Sequence, residues 1–163
     1  MRVRTAGRYG VGLIGLAAVG FCLGWTAGTL AREVVTIDQI TDHTATSAME
    51  MFRFAPDFVE IAPGESVVFL NSRGSHTVKS QEGLWPEGAP TVDISGQLRA
   101  EVVFDAPGLY GLICGRHGKY GMAMLVVVGD VSVTDDDRAA IEEIRGSERA
   151  RATFRKLFDQ VGS

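Results

Sequence analysis

Apolar and polar positions divide this chain into three stretches with different rhythms. Residues 9–31 (YGVGLIGLAAVGFCLGWTAGTLA) carry no charge at all. From Val34 to Asp130 the apolar runs are short and β-prone, and turn residues bound them. The strands expected are Val34–Ile37, Ala48–Phe54, Phe58–Ile61, Glu65–Leu70, a short piece at His76-Thr77-Val78, Leu98–Phe104, Leu109–Cys114 and Met122–Val128. Pro56-Asp57, Pro63-Gly64 and Ala106-Pro107-Gly108 punctuate them, and residues 80–91 form a long loop with Trp85-Pro86. About eight short strands at this spacing give an all-β sandwich or barrel. The tail changes period. Thr134 followed by Asp135, Asp136 and Asp137 reads as a helix start, with a hydroxyl cap and carboxylates facing the positive end of the dipole. Gly146 ends that helix and Ser147-Glu148 opens a second, in which Phe154, Leu157, Phe158 and Val161 share one face. These two C-terminal α-helices are expected to cover the sandwich.

The uncharged N-terminal run follows Arg2, Arg4 and Arg8. A positive start, an apolar core and Thr29-Leu30-Ala31 before Arg32 fit a secretory signal peptide. The length also reaches what a bilayer span requires, which would make residues 9–31 a helical membrane anchor with the N-terminus in the cytoplasm. Either way the remainder is exported, to the periplasm of a bacterial-type cell. The expected organisation is a signal peptide or anchor over 1–31, a folded domain over 32–130 and a helical extension over 131–163.

At 163 residues there is material for one substantial core. Net charge is −4, but the three N-terminal arginines hide the character of the rest. Residues 32–163 hold 20 acidic against 13 basic groups, a balance of −7. That composition argues against a nucleic-acid binder. Cys22 sits in the apolar run and Cys114 in the domain, so the exported part keeps a single thiol. A lone thiol outside the cytoplasm is a liability unless it is buried or ligated.

Cys114 begins the stretch that carries chemistry: Cys114-Gly115-Arg116-His117-Gly118-Lys119-Tyr120-Gly121-Met122, with His76 far upstream. One thiolate and two imidazoles in a plane, with a weak axial thioether, form the ligand set of a type 1 (blue) copper centre. Soft sulfur donors favour Cu(I) and imidazoles also tolerate Cu(II), so one geometry serves both states. Three donors lie between the end of one strand and the start of the next, and Gly118 and Gly121 let the loop fold back. The expected ligands of one copper ion per chain are therefore His76, Cys114, His117 and Met122. Met124, Met49 and Met51 read as core or edge residues and His43 as a solvated one. Arg73, Lys79, Arg116 and Lys119 lie around the proposed site as scattered surface charge or as a rim that steers an acidic partner.

From about Val34 to the C-terminus the chain resembles the pseudoazurins, small cupredoxins of bacterial periplasms. The matching pieces are Met51-Phe52-Arg53-Phe54-Ala55-Pro56-Asp57-Phe58-Val59, Pro63-Gly64-Glu65-Ser66-Val67, His76-Thr77-Val78, Trp85-Pro86-Glu87-Gly88-Ala89, Gly108-Leu109-Tyr110, the Cys114 loop and Gly121-Met122. The resemblance implies a cupredoxin Greek-key β-sandwich with two C-terminal helices, and copper held by His76, Cys114, His117 and Met122. It also implies transient electron donation to periplasmic redox partners such as copper-containing nitrite reductase or c-type cytochromes. Two positions depart from the family. Thr77 stands where members often have an asparagine that ties the two ligand loops together, and Arg116 stands where many have proline.

Other functions fit the residues less well. Copper delivery, the main alternative, calls for exchangeable or methionine-rich ligands rather than a closed set of four. A copper enzyme of the nitrite reductase type needs further histidines, and only His43 remains. A binuclear site needs a second cysteine in the loop, and structural zinc favours Cys and His without Met. The chain therefore reads as an electron carrier and not as an enzyme.

Overall fold

The computed structural model describes residues 34–162. The expected signal peptide or anchor, with Cys22, lies outside the described residues. Among the described residues no helix is long and apolar enough to cross a membrane.

Seven strands form one curled sheet. In chain order they are β1 (Val35–Thr41), β2 (Phe52–Ala55), β3 (Phe58–Ile61), β4 (Glu65–Ser80), β5 (Asp93–Phe104), β6 (Gly108–Ile113) and β7 (Ala123–Val128). Among the described residues three α-helices accompany them: α1 (Ala48–Met51), α2 (Asp135–Glu143) and α3 (Glu148–Phe158). The strand order is β2-β1-β4-β6-β7-β3, with β5 paired to β4. β1 runs parallel to β4, β3 runs parallel to β7, and the other pairings are antiparallel.

The long strand β4 curls the sheet by changing partners. Its first half pairs with β1 from Val67 to Leu70, and its last residues, Lys79 and Ser80, pair with Ile113 and Leu112 of β6. Between them the ladder to β5 slips: Ser72 faces Gln97, yet Thr77 faces Ser95. Five steps on β4 thus answer two on β5, a bulge of the kind that re-aims side chains beside functional sites. β1 pins the start of the bulge, where Gln39 Nε2 donates to Leu70 O and Ser72 Oγ.

The structure differs from the sequence expectation in three elements. Ala48–Met51 is a turn of helix and not strand, because Ser47 caps it by accepting the Glu50 N–H. Glu65–Leu70 and His76–Val78 belong to one strand interrupted by the bulge. β5 starts at Asp93, well before Leu98.

Every residue of β7 is buried. Side chains alternate faces along a strand, so Met124, Val126 and Val128 join the core inside the curled sheet with Ile37, Phe54, Phe69 and Leu112. Ala123, Leu125 and Val127 join a second core with Ile141, Ile144, Phe154, Leu157 and Phe158. The helices cover the sheet as expected. Full burial of Phe154, Leu157 and Phe158 is worth roughly 1.5–3 kcal/mol each. The helix starts are also as read. Thr134 Oγ1 accepts the Asp137 N–H at 3.1 Å, and the Asp137 carboxylate accepts the Thr134 N–H at 2.8 Å. β6 can lie under this layer only because position 111 is glycine, since a Cβ there would come 2.8 Å from Leu84 Cβ.

Candidate metal centre

The register of three strands assembles the site. β6 and β7 pair through Ile113 and Ala123, so the residues between them form a closed hairpin loop. Its neck is held by the Cys114 N–H donating to Met122 O at 3.0 Å. Within the loop the Gly118 N–H donates to Cys114 O (2.7 Å), and Gly118–Tyr120 makes a single 3-10 turn. Gly121 closes the turn at φ 99°, a left-handed conformation that suits glycine. The pairing of Lys79 with Ile113 then brings the end of β4, and with it His76, alongside Cys114.

His76, Cys114 and His117 are all buried, and their ligand atoms lie within 4.8 Å of one another. The two Nδ1 atoms are 3.3 Å apart, and His117 Nδ1 is 3.7 Å from Cys114 Sγ. Imidazole nitrogen binds a first-row metal at about 2.0 Å and thiolate at about 2.3 Å. A trigonal plane with those bonds separates the nitrogens by about 3.5 Å and nitrogen from sulfur by about 3.7 Å. The donor set therefore fits a single metal ion.

Met122 is 1% exposed and shares the inner core with Cys114. Its N–H donates to His117 O at 3.3 Å and its carbonyl accepts the Cys114 N–H, so its backbone is tied to both donor residues of the hairpin. Met124 instead pairs with Leu112 inside the β6–β7 ladder, a step deeper in the sheet. Met49 is exposed, as is His43.

The surroundings prepare the imidazoles to bind. With His76 Nδ1 bare for a metal, Nε2 carries the proton and donates it to Thr41 Oγ1 at 2.8 Å. Burial pushes the His76 pKa below its ordinary value. Burial does the same to His117, helped by the positive neighbours His76, Arg116 and Lys119. Both shifts favour the neutral ring, the form that can ligate. Phe52 lies flat on His117, with centroids 3.9 Å apart and planes within 4°. Tyr120 stacks on the same phenyl ring at 5.6 Å.

Thr77, one of the two departures noted in the sequence, does the work ascribed to the usual asparagine. Its Oγ1 accepts the Gly115 N–H at 2.8 Å and lies 4.0 Å from Cys114 Sγ. A hydroxyl at this position therefore still ties the two ligand segments together. The four basic residues around the site separate into two kinds. Arg116 and Lys119 line an open depression of about 570 Å³ whose other walls include Phe52, His117 and Tyr120. Lys79 is paired with Asp93 at 2.8 Å, which offsets its charge, and Arg73 is exposed on the bulge of β4.

Sequence reasoning did not single out Thr41 or Phe52. Both reach the site through the pairing of β1 with β2 and β4, and nothing in their local sequence signals that.

The chain is similar to known copper proteins in sequence and fold. Residues 41–129 match the model of the copper binding proteins, plastocyanin/azurin family. A pseudoazurin of Methylorubrum extorquens is 32% identical over 141 residues, which span 83% of this chain and 93% of that protein. Among solved structures, pseudoazurin from Methylobacterium extorquens AM1 aligns with a TM-score of 0.66 at 31% identity, over 79% of this chain and 99% of that one. Pseudoazurin from Hyphomicrobium denitrificans shares the fold, with a TM-score of 0.65 at 24% identity over 80% of this chain and all of that one.

Proposed function

This chain belongs to the plastocyanin/azurin family of copper-binding proteins, as a homologue of the pseudoazurins, and from that premise we propose that it is a periplasmic single-electron carrier whose one copper ion is held by His76, Cys114, His117 and Met122. Its relatives carry electrons and are not enzymes, and copper is the cofactor of the family. The observation that carries the ligand assignment is the convergence of three buried donor atoms within 4.8 Å, with Met122 hydrogen-bonded into the same loop.

Bound copper supplies one-electron exchange between Cu(I) and Cu(II). The protein's part is to hold the donors still. The hairpin neck fixes Cys114 against Met122, Thr41 fixes the ring of His76, and Phe52 fixes the plane of His117. A donor set locked by packing and hydrogen bonds rearranges little when charge changes. Burial of the thiol to 1% exposure keeps oxidants and competing thiols away from it.

Export follows in this proposal from Arg2, Arg4 and Arg8 ahead of the uncharged run 9–31, which either is removed as a signal or attaches the chain to the membrane. Residues 32–130 then form the copper-binding domain and 131–163 its helical extension. The electron acceptor is a periplasmic reductase of the copper nitrite reductase kind, or a c-type cytochrome. Arg116 and Lys119 beside the His117 depression give the docking face a positive edge on a body that is otherwise acidic. Replacing both with glutamine should slow partner association about tenfold at 10 mM salt, where charges act over about 30 Å, and hardly at all at 1 M. Stopped-flow rates across that range test this, and equal slowing at every salt level removes the steering role.

The function itself is tested by adding copper to the purified chain. The expected results are an intense visible band and a reversible one-electron wave by voltammetry. A colourless protein whose Cys114 still reacts with an alkylating reagent would overturn the reading. Rapid metal transfer to an apo-protein without redox cycling would favour copper delivery instead.

A further inference from the structure

α3 does more than cover the sheet. Its apolar face is interrupted by Thr153, a buried polar residue that is 9% exposed. Threonine and valine have nearly the same shape, so a buried hydroxyl among Ala150, Phe154 and Leu157 costs stability unless it is bonded. Thr153 Oγ1 lies 3.0 Å from Gly121 O and 3.0 Å from Arg149 O, the carbonyl one turn back in its own helix. At the N-cap of the same helix, Ser147 Oγ accepts the Ala150 N–H at 3.1 Å and donates its own proton to Gly118 O at 3.2 Å.

The two carbonyls reached from α3 bracket the 3-10 turn of the ligand loop. Gly118 follows His117, and Gly121 precedes Met122. Each carbonyl already has one partner inside the loop, Gly121 N–H for the first and Ala123 N–H for the second. The Ser147 hydroxyl adds a second partner to Gly118 O, and the single Thr153 proton is shared between Gly121 O and Arg149 O, so the loop is anchored to the helix as well as to itself. The approach at Gly121 is close, since a Cβ there would meet Thr153 Oγ1 at 3.1 Å. Turning the peptide between residues 121 and 122 moves the Met122 backbone directly. Turning the peptide after Gly118 strains the segment that seats His117.

We propose that Thr153, seconded by Ser147, is a positioning residue for the ligand loop: α3 uses two hydroxyls to clamp the Gly118–Gly121 turn, and so sets where His117 and Met122 stand relative to Cys114. This rests on the ligand assignment above. Its first test does not, because that test uses metal-free protein.

In the purified full-length chain, Thr153→Val keeps the shape and removes the Thr153 half of the clamp, whereas Thr153→Ser keeps the hydroxyl. Alkylation at Cys114 is followed by peptide mass, which separates it from Cys22. The valine variant should react about fivefold faster than wild type, the factor attached to one lost net hydrogen bond, and the serine variant close to the wild-type rate. Ile141→Val serves as the control, because it weakens the packing under α2 without touching the loop. If Thr153→Val reacts at the wild-type rate, or if Ile141→Val accelerates the reaction as much, the clamp is refuted. With copper bound, Thr153→Val should also shift the reduction potential and the visible band ratios, and Thr153→Ser should restore both. Identical spectra and potentials in all three proteins would show that the hydroxyl does not position the ligands. A wild-type protein that never turns blue would sink the ligand assignment, while the alkylation rates would still decide the clamp.

Discussion

Cys114→Ser is expected to abolish the intense visible absorption predicted for the copper-loaded protein and to weaken its hold on Cu(I) by orders of magnitude. The band arises from charge moving between thiolate and metal, and a serine hydroxyl offers neither the soft donor nor the available electron pair. The substitution is gentle on the fold. Cys114 is buried in the inner core, and the contact that closes the hairpin neck uses its backbone N–H, which serine retains. The Thr77 tie also survives, because it ends on the Gly115 N–H. A copper titration followed by absorbance is the check. A serine variant that remains intensely coloured means that Cys114 is not the thiolate donor.

Met122→Gln should lower the reduction potential while leaving the colour largely in place. As a ligand the Met122 thioether would be a soft, weak donor, and an amide oxygen in its place would be harder and favour Cu(II). Each tenfold bias toward the oxidised state is worth about 59 mV in a one-electron couple, so a fall of about 60–120 mV corresponds to one or two such steps. Glutamine is close to methionine in length, and the backbone bonds of residue 122 to Cys114 and His117 do not involve its side chain. Voltammetry of the two proteins side by side settles the point. A potential that does not move takes Met122 out of the ligand set. The same substitution at Met124, which lies inside the β6–β7 ladder, then becomes the informative experiment.

The parts of this site that could be read from sequence share one physical property: they are local. Cys114, His117 and Met122 fall within nine residues, between two runs that are plainly strands, so a hairpin is enough to bring Cys114 and His117 together beside Met122 in the chain. His76 is distant, but the donor set of the hairpin lacks one imidazole and the sequence offers His76 just after a strong strand. The capping box at Thr134 and the apolar face of α3 were legible for the same reason, since both are set within a turn or two of helix. What escaped depends on strands that meet across the fold. Phe52 belongs to a run that alternates well enough for strand, and only the pairing of β2 with β1 carries it over His117. Thr41 is one threonine among several until the parallel pairing of β1 with β4 sets it against His76. Thr77 is the instructive case. Compared by residue type it is a departure, yet its oxygen accepts the Gly115 N–H that ties one ligand segment to the other. Chemical capability at the position mattered more than residue identity.

The double burial of β7 bears on how this protein can change over generations. A stop codon placed soon after Asp130 would delete α2 and α3 and leave every strand intact, so the lesion would look mild on paper. It would bare Leu125 and Val127, whose cover comes from Phe154, Leu157 and Phe158, and turn a closed face into a sticky one. A chain shortened there would keep a closed surface only if Leu125 and Val127 were exchanged for polar residues at the same time.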